Sequence, residues 1–268
     1  MPLPGCKTNE ALENRQSQLA KLQHQLSFCK SFLLKRKDRR YDPVEVAKRY
    51  AQFCPVAHAL ELVGERWALL VVRELLNGPK RYTDLAAALP GIGTNILANR
   101  LRDLEQGGII EKRRLPPPAA ASVYELTPYG EELREPVYAL ARWGARSLEP
   151  PTDNDSLSPG WLANAVRATC LAGEHVPTAA FELRVGDEVV NVRFEEHEPV
   201  VEPGSSADPN VVVIETDPAT LFCVAARQQS TREAIDAGAV RITGKRADAE
   251  QFLSFFSFDE PSRQLEHV

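Results

Sequence analysis

Asn95, Ala98, Asn99 and Arg102 are spaced to share one face of a helix that begins near Thr94, with Leu97, Leu101 and Leu104 on the opposite face. An amide side chain can pair through two hydrogen bonds with the edge of adenine, and a guanidinium can read guanine or grip a phosphate. Thr94, Asn95, Ala98, Asn99 and Arg102 are therefore candidates for reading base edges in a DNA major groove. A second group, Lys80, Arg81, Tyr82 and Arg100 with Lys112, Arg113 and Arg114, is placed to meet the phosphate backbone. Between residues 80 and 114, seven basic side chains stand against four acidic ones, an excess that gains weight only from its position on this motif.

A short helix, a tight turn and a second helix are needed to aim such a face. Residues 56–63 are mostly apolar, and Gly64 interrupts them. Glu65–Asn77 is predicted as a second helix, apolar nearly all round through Ala68–Val72 and ended by Gly78 and Pro79. Thr83 suits the N-cap of a short third helix. Residues 90–93 (Pro-Gly-Ile-Gly) then turn the chain into a helix over Thr94–Gln106, which Gly107 and Gly108 end. Ile109–Leu115 and Ser122–Thr127 read as strands joined by Pro116–Ala121, a loop too long for a tight turn and expected to project as a wing. Lys112–Arg114 stand at its base. Thr127 and Pro128 open a helix over 128–148 as N-cap and first helical residue, and Pro136 is expected to kink it.

Cys54-Pro55, Gly64-Glu-Arg-Trp67, Arg73-Glu-Leu-Leu76, Arg81-Tyr82, Asp84-Leu85, Pro90-Gly-Ile92, Leu97, Arg100-Leu-Arg102, Leu104-Glu105, Tyr124-Glu-Leu-Thr127, Gly130 and Trp143-Gly144 follow one another in order. Over about residues 50–148 this series resembles the HxlR-type winged helix-turn-helix transcriptional regulators. The resemblance implies a homodimer on a palindromic operator in double-stranded DNA, with 128–148 (Leu133, Val137, Leu140, Ala141, Trp143, Leu148) contributing to the dimer. Two departures stand out: Gly93 replaces the hydroxyl residue usual before the recognition helix, and the Pro-Pro-Pro-Ala-Ala-Ala wing tip lacks a basic residue. In some relatives a cysteine at the start of this domain senses oxidants or electrophiles, and Cys54 occupies that place. The other reading of Cys54 is a small buried residue beside a proline, with His58 one turn on.

Glu149–Gly160 is poor in apolar residues and rich in turn formers, as an interdomain linker is. Beyond it, a helix is predicted over Trp161–Leu171 and a hairpin over Ala180–Val185 and Glu188–Phe194, turning at Gly186 and Asp187. A strand at Val211–Ile214, helices over Pro218–Arg227 and Ser230–Ala237, a strand at Val240–Thr243 and a last helix over Asp248–Phe258 follow. This order, with Ile214-Glu-Thr-Asp-Pro-Ala-Thr-Leu221, Glu233-Ala-Ile235, Gly238 and Val240-Arg-Ile-Thr-Gly244, is similar to the sterol-carrier-protein-like fold. The resemblance implies an apolar tunnel, with Leu221, Phe222, Phe252, Phe255 and Phe256 as candidate lining for a hydrophobic small molecule. The same side chains also suit an ordinary core.

The expected fold class is therefore α+β, a winged helix-turn-helix domain followed by a sterol-carrier-protein-like α/β sandwich. The expected boundaries are a helical and basic extension over 1–40, the winged domain over 41–149, a linker over 150–160, the second domain over 161–258 and a tail over 259–268. A chain of 268 residues is long enough for two such cores. In the extension, residues 9–34 read as a polar helix followed by the basic run Lys35–Arg40, either a DNA- or partner-contacting arm or a frayed end. Net charge runs from +6 over residues 1–40 through zero over 41–150 to −11 over 151–268, so a polyanion must meet the first 150 residues.

No stretch approaches eighteen apolar residues, which argues against a membrane span, and no charged segment leads into an apolar core as in a secretory leader. The five cysteines are scattered without C-x-x-C spacing, as expected of a cytoplasmic chain without a zinc site. The five histidines do not cluster, Gly204-Ser-Ser lacks a nucleophile elbow, Gly244-Lys245 lacks the rest of a phosphate loop, and Glu195 and Glu196, if strand-like, point to opposite sheet faces. No enzyme, cofactor or metal is expected. The function expected is a sequence-specific DNA-binding regulator controlled by a hydrophobic effector; the alternatives are a lipid-binding carrier or a redox-sensing regulator acting through Cys54.

Overall fold

The computed structural model describes residues 50–116, 121–152, 155–172 and 175–259. The predicted helix over 9–34, the basic run Lys35–Arg40, the wing tip at 117–120 and the tail beyond Asp259 lie outside the described residues. The chain divides into two units, Met1–Gln52 and Phe53–Val268. Of the first, only Tyr50–Gln52 are described, with Ala51 at a φ of 53°. The second carries every described helix and strand.

Four helices open it: α1 (Pro55–Val63), α2 (Ala68–Leu75), α3 (Tyr82–Ala88) and α4 (Thr94–Gln106). Their apolar stripes meet in one core that includes Val71, Val72, Leu75, Leu85, Leu97, Leu101 and Leu104. α4 has the predicted bounds, but α2 starts three residues later than predicted. Residues 64–67 form a turn instead, in which Ala68 N–H reaches the Glu65 carbonyl at 3.0 Å and Trp67 takes a φ of 78° as N-cap. Gly64 packs against the end of α1 so closely that a Cβ there would lie 2.4 Å from the Leu60 carbonyl oxygen. α3 begins at Tyr82 with Arg81 as its N-cap, not Thr83. The Asp84 carboxylate accepts the Arg81 backbone N–H at 2.9 Å, and a carboxylate in the first turn also suits the positive end of the helix.

Strands β1 (Ile110–Arg114) and β2 (Ser122–Leu126) pair antiparallel, Lys112 opposite Tyr124. Lys80 adds a one-residue third strand, exchanging backbone hydrogen bonds with Tyr124 at 3.0 and 2.8 Å. The predicted helix over 128–148 is two helices, α5 (Pro128–Glu131) and α6 (Arg134–Ala145). The break falls at Glu132 and Leu133 rather than at Pro136. Pro136 sits in the first turn of α6, where its missing N–H would have had no intrahelical acceptor, so it introduces no kink. Thr127 caps α5, its Oγ1 accepting the Gly130 N–H at 3.1 Å and donating to the Gly108 carbonyl at 2.6 Å. Gly130 lies against β1, where a Cβ would stand 2.0 Å from the Ile109 carbonyl oxygen.

The remaining elements are α7 (Trp161–Thr169), β3 (Phe181–Val185), β4 (Glu188–Glu195), β5 (Glu198–Pro203), β6 (Val212–Thr216), α8 (Pro218–Ala225), α9 (Thr231–Asp236), β7 (Arg241–Thr243) and α10 (Arg246–Ser254). The strands form one sheet in the order β5-β4-β3-β6-β7, antiparallel throughout except for the parallel pair β3 and β6. β5 was not predicted, because Pro199 and Pro203 disguise it. An edge strand tolerates proline, since one side of its backbone needs no ladder partner. α10 ends four residues before the predicted Phe258, and Phe256 instead forms an isolated bridge with Cys170.

α7 belongs to both interiors. Leu162, Ala163, Val166 and Cys170 pack with the sheet, whereas Ala168 packs with the core of the winged region. At its start, the Glu188 carboxylate of β4 accepts the Gly160 and Leu162 N–H groups at 2.5 and 3.0 Å. Near its end, Arg142 of α6 donates to the Ala168 carbonyl, and Arg167 reaches both the Asn77 side-chain oxygen and the Val201 carbonyl.

Candidate nucleic-acid interface

Burial of Leu97, Leu101 and Leu104 fixes the rotation of α4 about its own axis. Thr94, Asn95, Ala98, Asn99 and Arg102 are consequently all exposed. Gly93 is the N-cap and offers no side-chain bond, so the helix start is held from outside: the Tyr82 hydroxyl donates to the Thr94 carbonyl at 2.9 Å. Tyr82, read from sequence as a phosphate contact, thus serves here as a strut between α3 and α4. On the exposed face, Arg102 Nη1 donates to Asn99 Oδ1 at 3.1 Å.

The cations around this face differ in how far the chain itself engages them. Arg81 and Arg114 are exposed and carry no ion pair among the described residues. Lys112 lies over the Tyr124 ring, 5.6 Å from its centroid, with its ammonium exposed. Arg113 pairs across the strands with Glu125, at 2.5 Å from Nε and 2.7 Å from Nη2. The hydrogen bond and charge of Glu125 push the Arg113 pKa up, and the same bond holds the Glu125 carboxyl below its ordinary range. Arg100 turns back toward Asp103 at 2.7 Å and Glu65 at 3.7 Å, which ties α4 to the turn ahead of α2.

Lys80 is drawn inward as well. Its Nζ donates at 2.6 Å to Glu74, whose wholly buried carboxylate also accepts from Arg73 Nε and Nη2 at 3.0 and 2.7 Å. This clamp fastens the end of α2 to the base of the wing. Sequence reading had missed Glu74: an acidic residue inside an apolar helix was the available signal, since such a group must find cationic partners.

Cys54 is the N-cap of α1 and is partly exposed; its carbonyl accepts the His58 N–H at 3.0 Å. The His58 ring is turned to Glu61, with Nδ1 3.3 Å from the carboxylate. Among the described residues no group of three or more His, Cys, Asp or Glu is placed to hold a metal ion, and no helix is long and apolar enough to cross a membrane.

The five residues read as tunnel lining separate into two settings. Leu221, Phe252 and Phe256 are buried, and Phe255 is half-buried. Phe252 stacks on Phe181 with ring centres 4.4 Å apart and meets Phe256 edge-on at 5.3 Å; Phe255 meets Phe194 edge-on at 5.7 Å. Phe252 and Phe256 belong to the buried core that includes the strand residues Phe181, Leu183 and Ile214, and Phe255 packs against it. Phe222 packs on Phe258 at 5.1 Å and borders an open depression of about 150 Å³, lined also by Ala145, Leu148 and Ala226 and by the polar side chains of Arg146, Gln228 and Asp259.

Helices α2, α3 and α4, a two-stranded wing and an exposed amide-and-guanidinium face on α4 define a winged helix-turn-helix protein. The chain belongs to the HxlR-like helix-turn-helix family, whose model matches residues 62–152. It is 37% identical over 107 residues to the uncharacterized helix-turn-helix-type transcriptional regulator sll1512 of Synechocystis, a match covering 40% of this chain and 79% of that protein. It is 35% identical over 98 residues to the helix-turn-helix-type transcriptional regulator YodB of Bacillus subtilis, covering 36% of this chain and 88% of that protein. The solved structure of the reduced form of YodB aligns at 33% identity and a TM-score of 0.33, over 38% of this chain and 100% of that one.

Proposed function

We propose that the protein is a sequence-specific DNA-binding transcriptional regulator, acting as a homodimer on a palindromic operator. One observation carries this reading: α4 buries its leucines and turns Asn95, Ala98, Asn99 and Arg102 to solvent together, a set with no packing reason to coincide. Thr94 adds a hydroxyl at the amino end of the helix. Arg81, Lys112 and Arg114 take the phosphate contacts, whereas Arg100, Lys80 and Tyr82 hold the frame. The second copy docks on α6, where Leu140 and Trp143, one turn apart, are exposed, with Leu148 just beyond. The test is a salt-dependent gel shift on DNA upstream of the gene. One palindromic site should bind far better than random duplex, and Arg102→Ala should erode that preference; equal affinity for every sequence overturns the reading in favour of a carrier for hydrophobic molecules.

Residues 161–258 we assign as a sterol-carrier-like module that takes a small hydrophobic effector. With Phe252, Phe255 and Phe256 packed against other rings, the ligand enters beside Phe222, where α8 faces the end of α6. An effector acts only by binding one arrangement of the recognition helices better than another, and α7 supplies the mechanical link that lets the module do so. A second reading, regulation through the Cys54 thiol, is favoured by its partly exposed position at the start of α1. Cys54→Ala separates the two: loss of the oxidant response with retention of the effector response assigns sensing to the thiol.

A further inference from the structure

Asn99 and Arg102 are not independent on the exposed face of α4. Arg102 Nη1 donates to Asn99 Oδ1 at 3.1 Å, and both side chains remain open to solvent. A guanidinium has five N–H donors and no acceptor, so the amide must present its oxygen, not its NH2, to Arg102. Asn95, one helical turn nearer the amino end, makes no side-chain hydrogen bond among the described residues and keeps both halves of its amide. The other arginine of the helix, Arg100, is held by Asp103 and Glu65 and does not reach this face.

We infer, resting on the DNA-reading role proposed above, that Asn99 and Arg102 form a single donor-rich, positively charged reader selecting guanine, while Asn95 reads adenine. In the major groove adenine shows one acceptor, N7, beside one donor, the N6 amino group, and a side chain pairs with both only by offering a donor and an acceptor. Asn95 offers both. The Asn99 oxygen has committed one of its two lone pairs to a cation and the other stays beside that positive charge, so the pair offers a base chiefly its NH2 and the remaining guanidinium N–H groups. Guanine meets such a set with two acceptors, N7 and O6. Adenine would set its amino group against N–H donors and a positive charge. Ala98, lying between the readers, adds no polar group, and its methyl suits contact with thymine.

The test is selection of bound duplexes from a randomised pool at one fixed salt concentration, using the full chain and its Asn95→Ala, Asn99→Ala and Arg102→Ala variants. These positions are exposed on a helix and alanine favours helix, so the variants keep the fold. The position that responds to both Asn99→Ala and Arg102→Ala should be guanine for the unaltered protein, preferred over adenine about tenfold. Arg102→Ala should turn that position toward adenine, because the Asn99 oxygen is released. Asn95→Ala should relax a different position, one occupied by adenine. A defined operator with adenine where Asn99 acts, or an Arg102→Ala variant whose affinity falls equally on all sequences, overturns the pairing and leaves the regulator reading standing. Enrichment of no sequence at all overturns both.

Discussion

Arg142 Nη1 lies 2.8 Å from the carbonyl oxygen of Ala168, joining the last helix of the winged region to the carboxyl end of α7. The arginine is 8% exposed, and its Nε has no hydrogen-bond partner among the described residues. The partial negative charge of the helix end is what offsets its buried cation. Arg142→Ala should lower the stability of the whole chain by about 2 kcal/mol through the lost bond and the vacated stem volume. The midpoint of urea unfolding measures it; an unchanged midpoint would show that the contact carries no weight.

The Glu74 clamp should be costlier to break. Glu74→Ala leaves Lys80 and Arg73 without their shared carboxylate, a loss of about 3 kcal/mol, the lower end for buried pairs because both cations keep some contact with water. Denaturant unfolding of this variant should show a larger loss than Arg142→Ala.

Arg113 and Arg114 are neighbours with different expected roles in DNA binding. Arg114→Ala should reduce the slope of log affinity against log salt by about 0.9, the value of one phosphate contact. Arg113→Ala should reduce it by less, since Glu125 already pairs with that guanidinium. Glu125→Ala should strengthen binding by freeing it. Equal effects at both arginines would refute the distinction.

Thiol chemistry should divide the cysteines. Burial, with a smaller contribution from Glu198, pushes the Cys170 thiol up to about 12, so at neutral pH it is protonated as well as covered. Peptide mapping after brief alkylation of the folded protein should find Cys54 and Cys223 modified and Cys170 spared. Modification of Cys170 at a comparable rate would mean that the sheet core opens readily.

Acid should weaken the sheet through Glu182. Burial alone would raise its pKa, but the Ser206 N–H at 2.7 Å and the Arg184 guanidinium outweigh it, and the net position is below the ordinary 4.5. A carboxyl with a lowered folded pKa contributes stability that is complete above its unfolded value and is lost as pH falls through the folded one. Unfolding free energy should therefore drop below about pH 4.5, and Glu182→Gln should flatten that decline.

Periodicity made α4 legible in the sequence to the residue, because leucines at i, i+4 and i+7 leave only one face for Asn95, Asn99 and Arg102. The hairpin at Gly186 and the capped start at Asp217 and Pro218 were legible for similarly local reasons. Features set by tertiary contacts were not. Which arginines face outward depends on Glu65, Asp103 and Glu125, partners up to thirty-five residues away in the chain. β5 escaped because its prolines are allowed only by its place at the edge, which no local pattern states. Whether phenylalanines line a tunnel or fill a core is likewise a matter of which rings meet, and Phe181 and Phe194, from another part of the chain, decide it for Phe252 and Phe255.

A helix shared between two interiors makes the polypeptide indivisible at the place where its composition invites a cut. Truncation within 150–160 would strip Ala168 from one core and leave Arg142 and Asn77 facing water, while α7 would lose its anchor on the other side. Heating the intact chain should then give one calorimetric peak rather than two. Anyone seeking a minimal DNA-reading fragment would have to carry the helix along with it.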